Sequence, residues 1–328
     1  MVTENKDTFL DAYNNKIDVF EHKIYSHASN EEWVADPYIG FRLKKLKKKI
    51  DNNIILDTNY LGLRAENNFN LKKYDSIFLG GSLVYGAYSP TNFSTISSFY
   101  EKNVSEVCLN GGIGGHVLKQ HFSLYFNYLN AIETKNIIII FGFNDMGNCF
   151  NGKLYQDVKL DIFQKKINLI VEKPIKEGLK ISISAILKNL KLKHFVSKLI
   201  KKNSKVNKTS NFDLSKYLDD LCLDIKWFNS NNKNKNIYFF IQPNLITTKK
   251  KLTDYENTVI SSRQIDKINF CKNFHFELKK KTKEISNVFS LEDTFDDNKD
   301  TIFIDEAHVG DKGNEIIAKK IYKLIQNG

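Results

Sequence analysis

Ser82 follows an apolar run and two glycines, Gly80-Gly81-Ser82, and Asp305 stands three residues ahead of His308 in Asp305-Glu306-Ala307-His308. A serine hydroxyl is a poor nucleophile until a base takes its proton. An Asp-x-x-His spacing lets the carboxylate reach back to the imidazole, where it fixes the tautomer and stabilises the imidazolium. These residue types are the parts of nucleophilic acyl transfer, and of the seven histidines His308 is the best base. The tetrahedral intermediate of such a reaction carries negative charge on the former carbonyl oxygen and needs preset hydrogen-bond donors. Two segments offer them: the glycine-rich loop Asn110-Gly111-Gly112-Ile113-Gly114-Gly115, through its backbone N–H groups, and Gly142-Phe143-Asn144-Asp145, through the Asn144 amide. His116 follows Gly115 directly and is placed to line the same pocket. Each piece also has a plain reading, since a glycine-serine turn after a strand is common and Asp305 could be a turn residue beside a surface histidine.

Other chemistries fit these segments less well. The glycine loop lacks the Lys-Ser/Thr ending of a phosphate-binding loop and the Gly-x-Gly-x-x-Gly spacing of a dinucleotide site. Ser82 also lacks the Gly-x-Ser-x-Gly elbow, because Gly86 comes too late.

The candidate residues must be displayed by strand ends. Apolar runs at 75–79, 106–109, 136–141, 237–241 and 288–291 alternate with helical patterns at 91–103, 116–133, 261–285 and 314–326. Asn136-Ile-Ile-Ile-Ile-Phe141 is too short for a core helix and is rich in β-branching, as suits a central parallel strand. Strands alternating with helices predict an α/β fold, a flavodoxin-like three-layer α/β/α sandwich around five parallel strands. Ser82, the glycine loop and Asn144 then share the carboxyl edge of the sheet, where ligands bind in such folds.

The expected organisation is an N-terminal extension over 1–70, a core from 71–148 and 236–328, and an insertion over 149–235. The extension reads as an irregular opening with a helix near 7–24 and two look-alike segments, Tyr38-Ile39-Gly40-Phe41-Arg42 and Tyr60-Leu61-Gly62-Leu63-Arg64. Arg42, Arg64 and Arg263 are the only arginines. A guanidinium grips carboxylates or carbonyls through a planar fork, so Arg64 is a candidate for substrate binding or for pinning the extension to the core. Between Glu177 and Asp213 nine lysines and no acidic residue accompany apolar positions at near-helical spacing. This basic amphipathic stretch could serve as a lid, lie on an anionic membrane surface, or face an acidic polymer.

With 328 residues and 41% hydrophobic content the chain can bury a sizeable core. The net charge of +11 is mostly a lysine excess, which fits an anionic partner or a biased composition. Nucleic-acid binding is not expected, because the lysines have no interleaved aromatics and no recognised module. The four cysteines, Cys108, Cys149, Cys222 and Cys271, are scattered without metal-ligand spacing and read as reduced, mostly buried thiols. No metal or other cofactor is expected. The opening residues are polar, no run approaches a membrane span, and the expected location is cytoplasmic.

In chain order, Gly80-Gly81-Ser82-Leu83, Asn110 to Gly115, Gly142-Phe143-Asn144-Asp145 and Asp305 to His308 resemble the four blocks of the SGNH (GDSL-like) hydrolases, over about 74–148 and 236–328. The resemblance implies Ser82 as nucleophile, His308 as base and Asp305 as its orienting acid. It further implies an oxyanion hole from the Ser82 N–H, the Gly115 N–H and the Asn144 amide. Gly81 stands where many members have aspartate, and His116 where a small or acidic residue is often seen. The Gly-Gly-Ser form with an upstream Gly-x-Arg segment resembles the subgroup associated with bacterial surface carbohydrates. The implied activity is a serine esterase acting on an O-acyl group, such as acetyl on a sugar, or an acyltransferase using the same acyl-enzyme. The rival reading is a non-catalytic protein that holds an anionic glycan or membrane surface.

Overall fold

The computed structural model describes residues 32–50, 53–64, 73–89, 91–155 and 213–327. The expected helix near 7–24 and most of the Lys-rich stretch lie outside them.

The described chain opens on two antiparallel hairpins where an irregular segment was expected: Trp33–Asp36 (β1) with Gly40–Leu43 (β2), and Lys47–Ile50 (β3) with Asn53–Asp57 (β4). Asp36 closes the first turn, its Oδ1 accepting the Tyr38 and Ile39 N–H groups at 3.0 and 3.1 Å and its Oδ2 the Arg42 Nε–H at 3.1 Å. Side chains of the core then seize this hairpin from outside. Gln120 Nε2 donates to the Ile39 carbonyl at 2.8 Å, and the Tyr128 hydroxyl donates to Asp36 Oδ2 at 2.7 Å.

The core sheet contains Ser76–Gly80 (β5), Cys108–Gly112 (β6), Asn136–Phe141 (β7), Asn236–Ile241 (β8) and Val288–Ser290 (β9), all parallel in the order β6-β5-β7-β8-β9. β5 and β7 are buried along their whole length, as strands covered on both faces must be. On one face Ile138 and Ile140 of β7 join Phe78 and Phe240 under the helices Ile96–Val104 (α2) and Asp311–Asn327 (α8). On the other, Phe239 of β8 meets Phe122 and Phe228, which stack at 4.4 Å. Phe122 belongs to Leu118–Leu124 (α3) and Phe228 to Leu214–Asn231 (α5). The architecture is the expected three-layer sandwich. A short helix, Ser82–Tyr85 (α1), follows β5, and Phe143–Phe150 (α4) follows β7.

Two boundaries differ from the sequence reading. Leu214–Asn231, expected inside the insertion, is a helix whose Tyr217, Leu218, Leu221, Ile225 and Phe228 are buried, and the chain from 214 onward forms one compact unit with the chain up to 159. The long helix expected over 261–285 runs over Ile265–Thr282 (α7), and a separate helix that was not expected, Asp254–Ser261 (α6), precedes it. The break between them falls where Gln264 is extended, and α6 starts on a capping box between Thr253 and Glu256. Among the described residues no helix is long and apolar enough to cross a membrane.

Candidate active site

β5 ends at Gly80, and the chain turns through Gly81 into α1 so that Ser82 stands at the carboxyl edge of the sheet. The close approach of two elements explains the glycines here. A Cβ on Gly112, at the end of β6, would collide with the main chain of Tyr85, and a Cβ on Gly81 would collide with the Asn144 Nδ2. Asn110 ties the same pieces together: its Nδ2 donates to the Val84 carbonyl at 2.9 Å and its Oδ1 accepts the Gly112 N–H at 3.0 Å. Part of what the sequence offers as a donor-rich glycine loop is thus packing space for the turn that carries Ser82.

Ser82 Oγ lies 2.5 Å from His308 Nε2, across 226 positions of chain. His308 Nδ1 is 2.8 Å from both oxygens of Asp305. Asp305 Oδ1 also accepts the main-chain N–H groups of Ala307 and His308 at 2.8 and 2.9 Å, and its Oδ2 accepts the Tyr88 hydroxyl at 3.2 Å. Burial alone would push this carboxyl upward. The charge and hydrogen bond of His308, with the two N–H groups, outweigh it and hold Asp305 well below the usual carboxylate range. Burial and the neighbouring Asp305 push the Tyr88 phenol upward, so Tyr88 stays neutral and donates. Its ring also meets the His308 ring edge-on at 5.4 Å. With Nδ1 against the carboxylate and Nε2 against the serine hydroxyl, the arrangement is one that can pass a proton from Ser82 to His308.

The loop bearing Asp305 and His308 is fastened at several points. Ile304 N–H donates to the His308 carbonyl at 2.9 Å, closing the loop on itself. From the segment after β8, Gln242 Nε2 donates to the Ala307 carbonyl at 2.9 Å and Leu245 N–H to that of Glu306 at 3.0 Å. Glu306 itself, between Asp305 and His308, takes Lys267 Nζ at 2.8 Å and the Arg263 guanidinium. Beneath lies a fully buried ion pair, Lys250 Nζ to Glu256 Oε2 at 2.7 Å. Glu256 Oε1 accepts the N–H groups of Ile302 and Phe303, and the Tyr255 hydroxyl holds the Ile304 carbonyl at 2.8 Å.

On the other side of Ser82, Asn144 Nδ2 donates to the His116 carbonyl at 2.8 Å. Asp145 Oδ1 accepts Leu118 N–H at 3.0 Å and its Oδ2 accepts Gly142 N–H at 3.1 Å, which ties together the loops after β6 and β7. Gly115 has a φ of +83°, the left-handed conformation that favours glycine.

The structure brings together Ser82, His308, Asp305, Gly115 and Asn144, but it does not place His116 or Arg64 in the pocket. The His116 side chain is fully buried, with Nε2 2.9 Å from the Phe41 carbonyl, because the N-terminal hairpin covers it. Arg64 is 2% exposed and spends its fork on the carbonyls of Gly86, at 2.6 Å, and Ser89, at 3.0 Å, and on Asn92 Oδ1 at 2.8 Å. It braces the chain that leaves α1, which is the pinning role. Tyr88, Asp145 and Glu256 were not among the candidates from sequence. Only Glu256 left a local signal, the capping-box spacing from Thr253. Among the described residues no group of three or more His, Cys, Asp or Glu side chains could hold a metal ion.

No protein-family model and no curated protein matches the sequence. Solved structures do align with it. A lipase/acylhydrolase from Enterococcus faecalis aligns at 14% identity over 77% of this chain and 96% of its own, with a TM-score of 0.41. An acetyl-xylooligosaccharide esterase from Geobacillus aligns at 12% identity over 77% and 93%, with a TM-score of 0.42. An acetyl xylan esterase aligns at 13% identity over 77% and 99%, with a TM-score of 0.40. The functional reading rests on the geometry of the site itself.

Proposed function

We propose that the chain is a serine esterase of SGNH type that cleaves an O-acyl ester through an acyl-enzyme. The observation that carries this reading is the relay from Asp305 through His308 to Ser82, with both hydrogen bonds at reacting distance. Ser82 Oγ attacks the ester carbonyl carbon while His308 Nε2 takes the hydroxyl proton. The carbonyl oxygen becomes an oxyanion held by the Ser82 and Gly115 N–H groups and the second N–H of Asn144, the first being committed to the His116 carbonyl. As the intermediate collapses, the bond to the alcohol oxygen breaks and His308 returns its proton to that oxygen. Water then adds to the acyl-enzyme by the same route in reverse and releases the acid. The finer reading, a short acyl group such as acetyl on a carbohydrate hydroxyl, follows the resemblance of the Gly-Gly-Ser form.

The test is turnover of p-nitrophenyl acetate by the wild type and by Ser82→Ala, with folding followed by circular dichroism. The expected result is loss of turnover in a folded variant. Equal turnover in the two would remove Ser82 from the mechanism.

A further inference from the structure

We propose that Trp33, supplied by the N-terminal hairpin, is the acyl-side wall of the ester site, and that Gly114 sets the length of acyl group admitted between the indole and Ser82. The inference rests on Ser82 being the nucleophile. A Cβ built on Gly114 would lie 3.6 Å from Trp33 Cη2 and 3.9 Å from the Ser82 Cβ. The edge of the indole and Ser82 therefore both border this one residue. Gly114 is partly exposed and is not among the glycines of positive φ. Those two contacts are ordinary van der Waals distances, so neither backbone conformation nor packing demands a glycine there. What glycine provides is room for about one methyl group in contact with both Trp33 and Ser82.

The position of that space identifies what fills it. The leaving oxygen must stay within reach of His308 Nε2, and the carbonyl oxygen must point at the donors beside Gly115 and Asn144. The remaining substituent of the reacting carbon is the acyl chain, and the space over Gly114 is what is left for it. The indole is held there by a relay of rings. Trp33 meets Phe41 edge-on at 5.5 Å, and Phe41 meets the buried His116 ring at 4.8 Å, whose Nε2 is bonded to the Phe41 carbonyl. This gives the burial of His116 a purpose: it seats the hairpin that delivers Trp33. An apolar wall suits an alkyl group, and one methylene more or less against such a wall changes rates about 10- to 200-fold.

The experiment uses alkyl fluorophosphonates, whose phosphorus is attacked by Ser82 Oγ with loss of fluoride, so that labelling reads the acyl side without turnover. Rates are measured for methyl and hexyl probes with the wild type, Gly114→Ala, Trp33→Ala and Ser82→Ala. The expected wild-type preference is for methyl. Gly114→Ala should sharpen it about tenfold by slowing the hexyl probe, and Trp33→Ala should relax it by at least tenfold. Trp33 and Trp227 are the only tryptophans, so in a Trp227→Phe background labelling should also shift the emission of Trp33. If Gly114→Ala and Trp33→Ala keep the wild-type ratio while Ser82→Ala is unlabelled, the wall is elsewhere and the nucleophile stands. If Ser82→Ala labels like the wild type, or the wild type does not label, the nucleophile and this inference fall together. Should Trp33→Ala not fold, Gly114→Ala alone decides.

Discussion

Asn144 Nδ2 donates to the main-chain oxygen of His116 at 2.8 Å, and the same nitrogen occupies the place that a Cβ of Gly81 would need. One amide thus fixes its own orientation against the loop after β6 and requires a glycine directly before Ser82. With one N–H committed, the amide cannot turn its oxygen toward the site without breaking a hydrogen bond. That is how a preset donor differs from a surface amide.

Removal of this donor should act on the transition state alone. Asn144→Ala should lower kcat for p-nitrophenyl acetate about 10²- to 10³-fold, with KM within a few fold. Steady-state kinetics check this, and a change confined to KM would mean that Asn144 binds substrate in its ground state.

Asp305 should stay ionised throughout the pH range of activity. Its folded pKa is depressed, so its contribution to stability is present above the ordinary aspartate value of ~3.9 and is lost only as pH falls further, through the folded value. The acid limb of kcat/KM should then report one proton, that of the His308 imidazole, with a slope of one. A slope of two near pH 4 would show the aspartate titrating with it. Asp305→Asn should lower kcat about 10⁴-fold by losing the correct tautomer, while the acid limb persists.

A second carboxylate just past the carboxyl end of β9 should add to acid stability. Burial opposes the ionisation of Glu292, but His275 and Lys279, whose Nζ is 2.5 Å away, bring it down to about 2. A depressed pKa places the contribution above the unfolded value of 4.5 and removes it as pH falls toward 2. Its size is at most about 3 kcal/mol. Urea unfolding of Glu292→Gln should show that deficit at pH 7 and a narrowing gap between pH 4.5 and 2. A gap independent of pH would point to packing instead of charge.

The residues that meet at the candidate site were legible because chemistry restricts residue type: a serine after two glycines and an Asp-x-x-His are each recognisable at short range. The strand Asn136–Phe141 was legible because four consecutive isoleucines suit a buried parallel strand. The hairpin of Trp33 was not, since β1 and β2 are four residues each and are held by Gln120, His116 and Tyr128 from far along the chain. The misplacement of His116 follows from the same cause, because its neighbour in sequence is a pocket glycine but its neighbour in space is Phe41. α5 shows apolar residues at helical spacing, Leu218, Leu221, Ile225 and Phe228. The lysine run ahead of it masked the point where the core resumes. Glu256 announced a helix start, whereas its hold on Ile302 and Phe303 spans 46 and 47 positions, beyond any local pattern.

That hold makes Glu256 the strongest single anchor of the loop carrying Asp305. Its side chain and that of Lys250 are both fully buried, and its two oxygens also accept the Thr253 N–H at 3.0 Å and the Ile302 and Phe303 N–H groups at 3.0 and 3.1 Å. Glu256→Gln keeps the shape but leaves the Lys250 ammonium buried without a countercharge, a situation that destabilises by about 3–5 kcal/mol. Lys250→Met leaves the carboxylate with its main-chain donors and should cost less. Chemical denaturation of the two variants gives the order. The kinetics of the folded fraction then separate positioning from stability: if Glu256 places Asp305, Glu256→Gln lowers kcat at temperatures where the variant is fully folded. A normal kcat per folded molecule would confine its role to holding the fold.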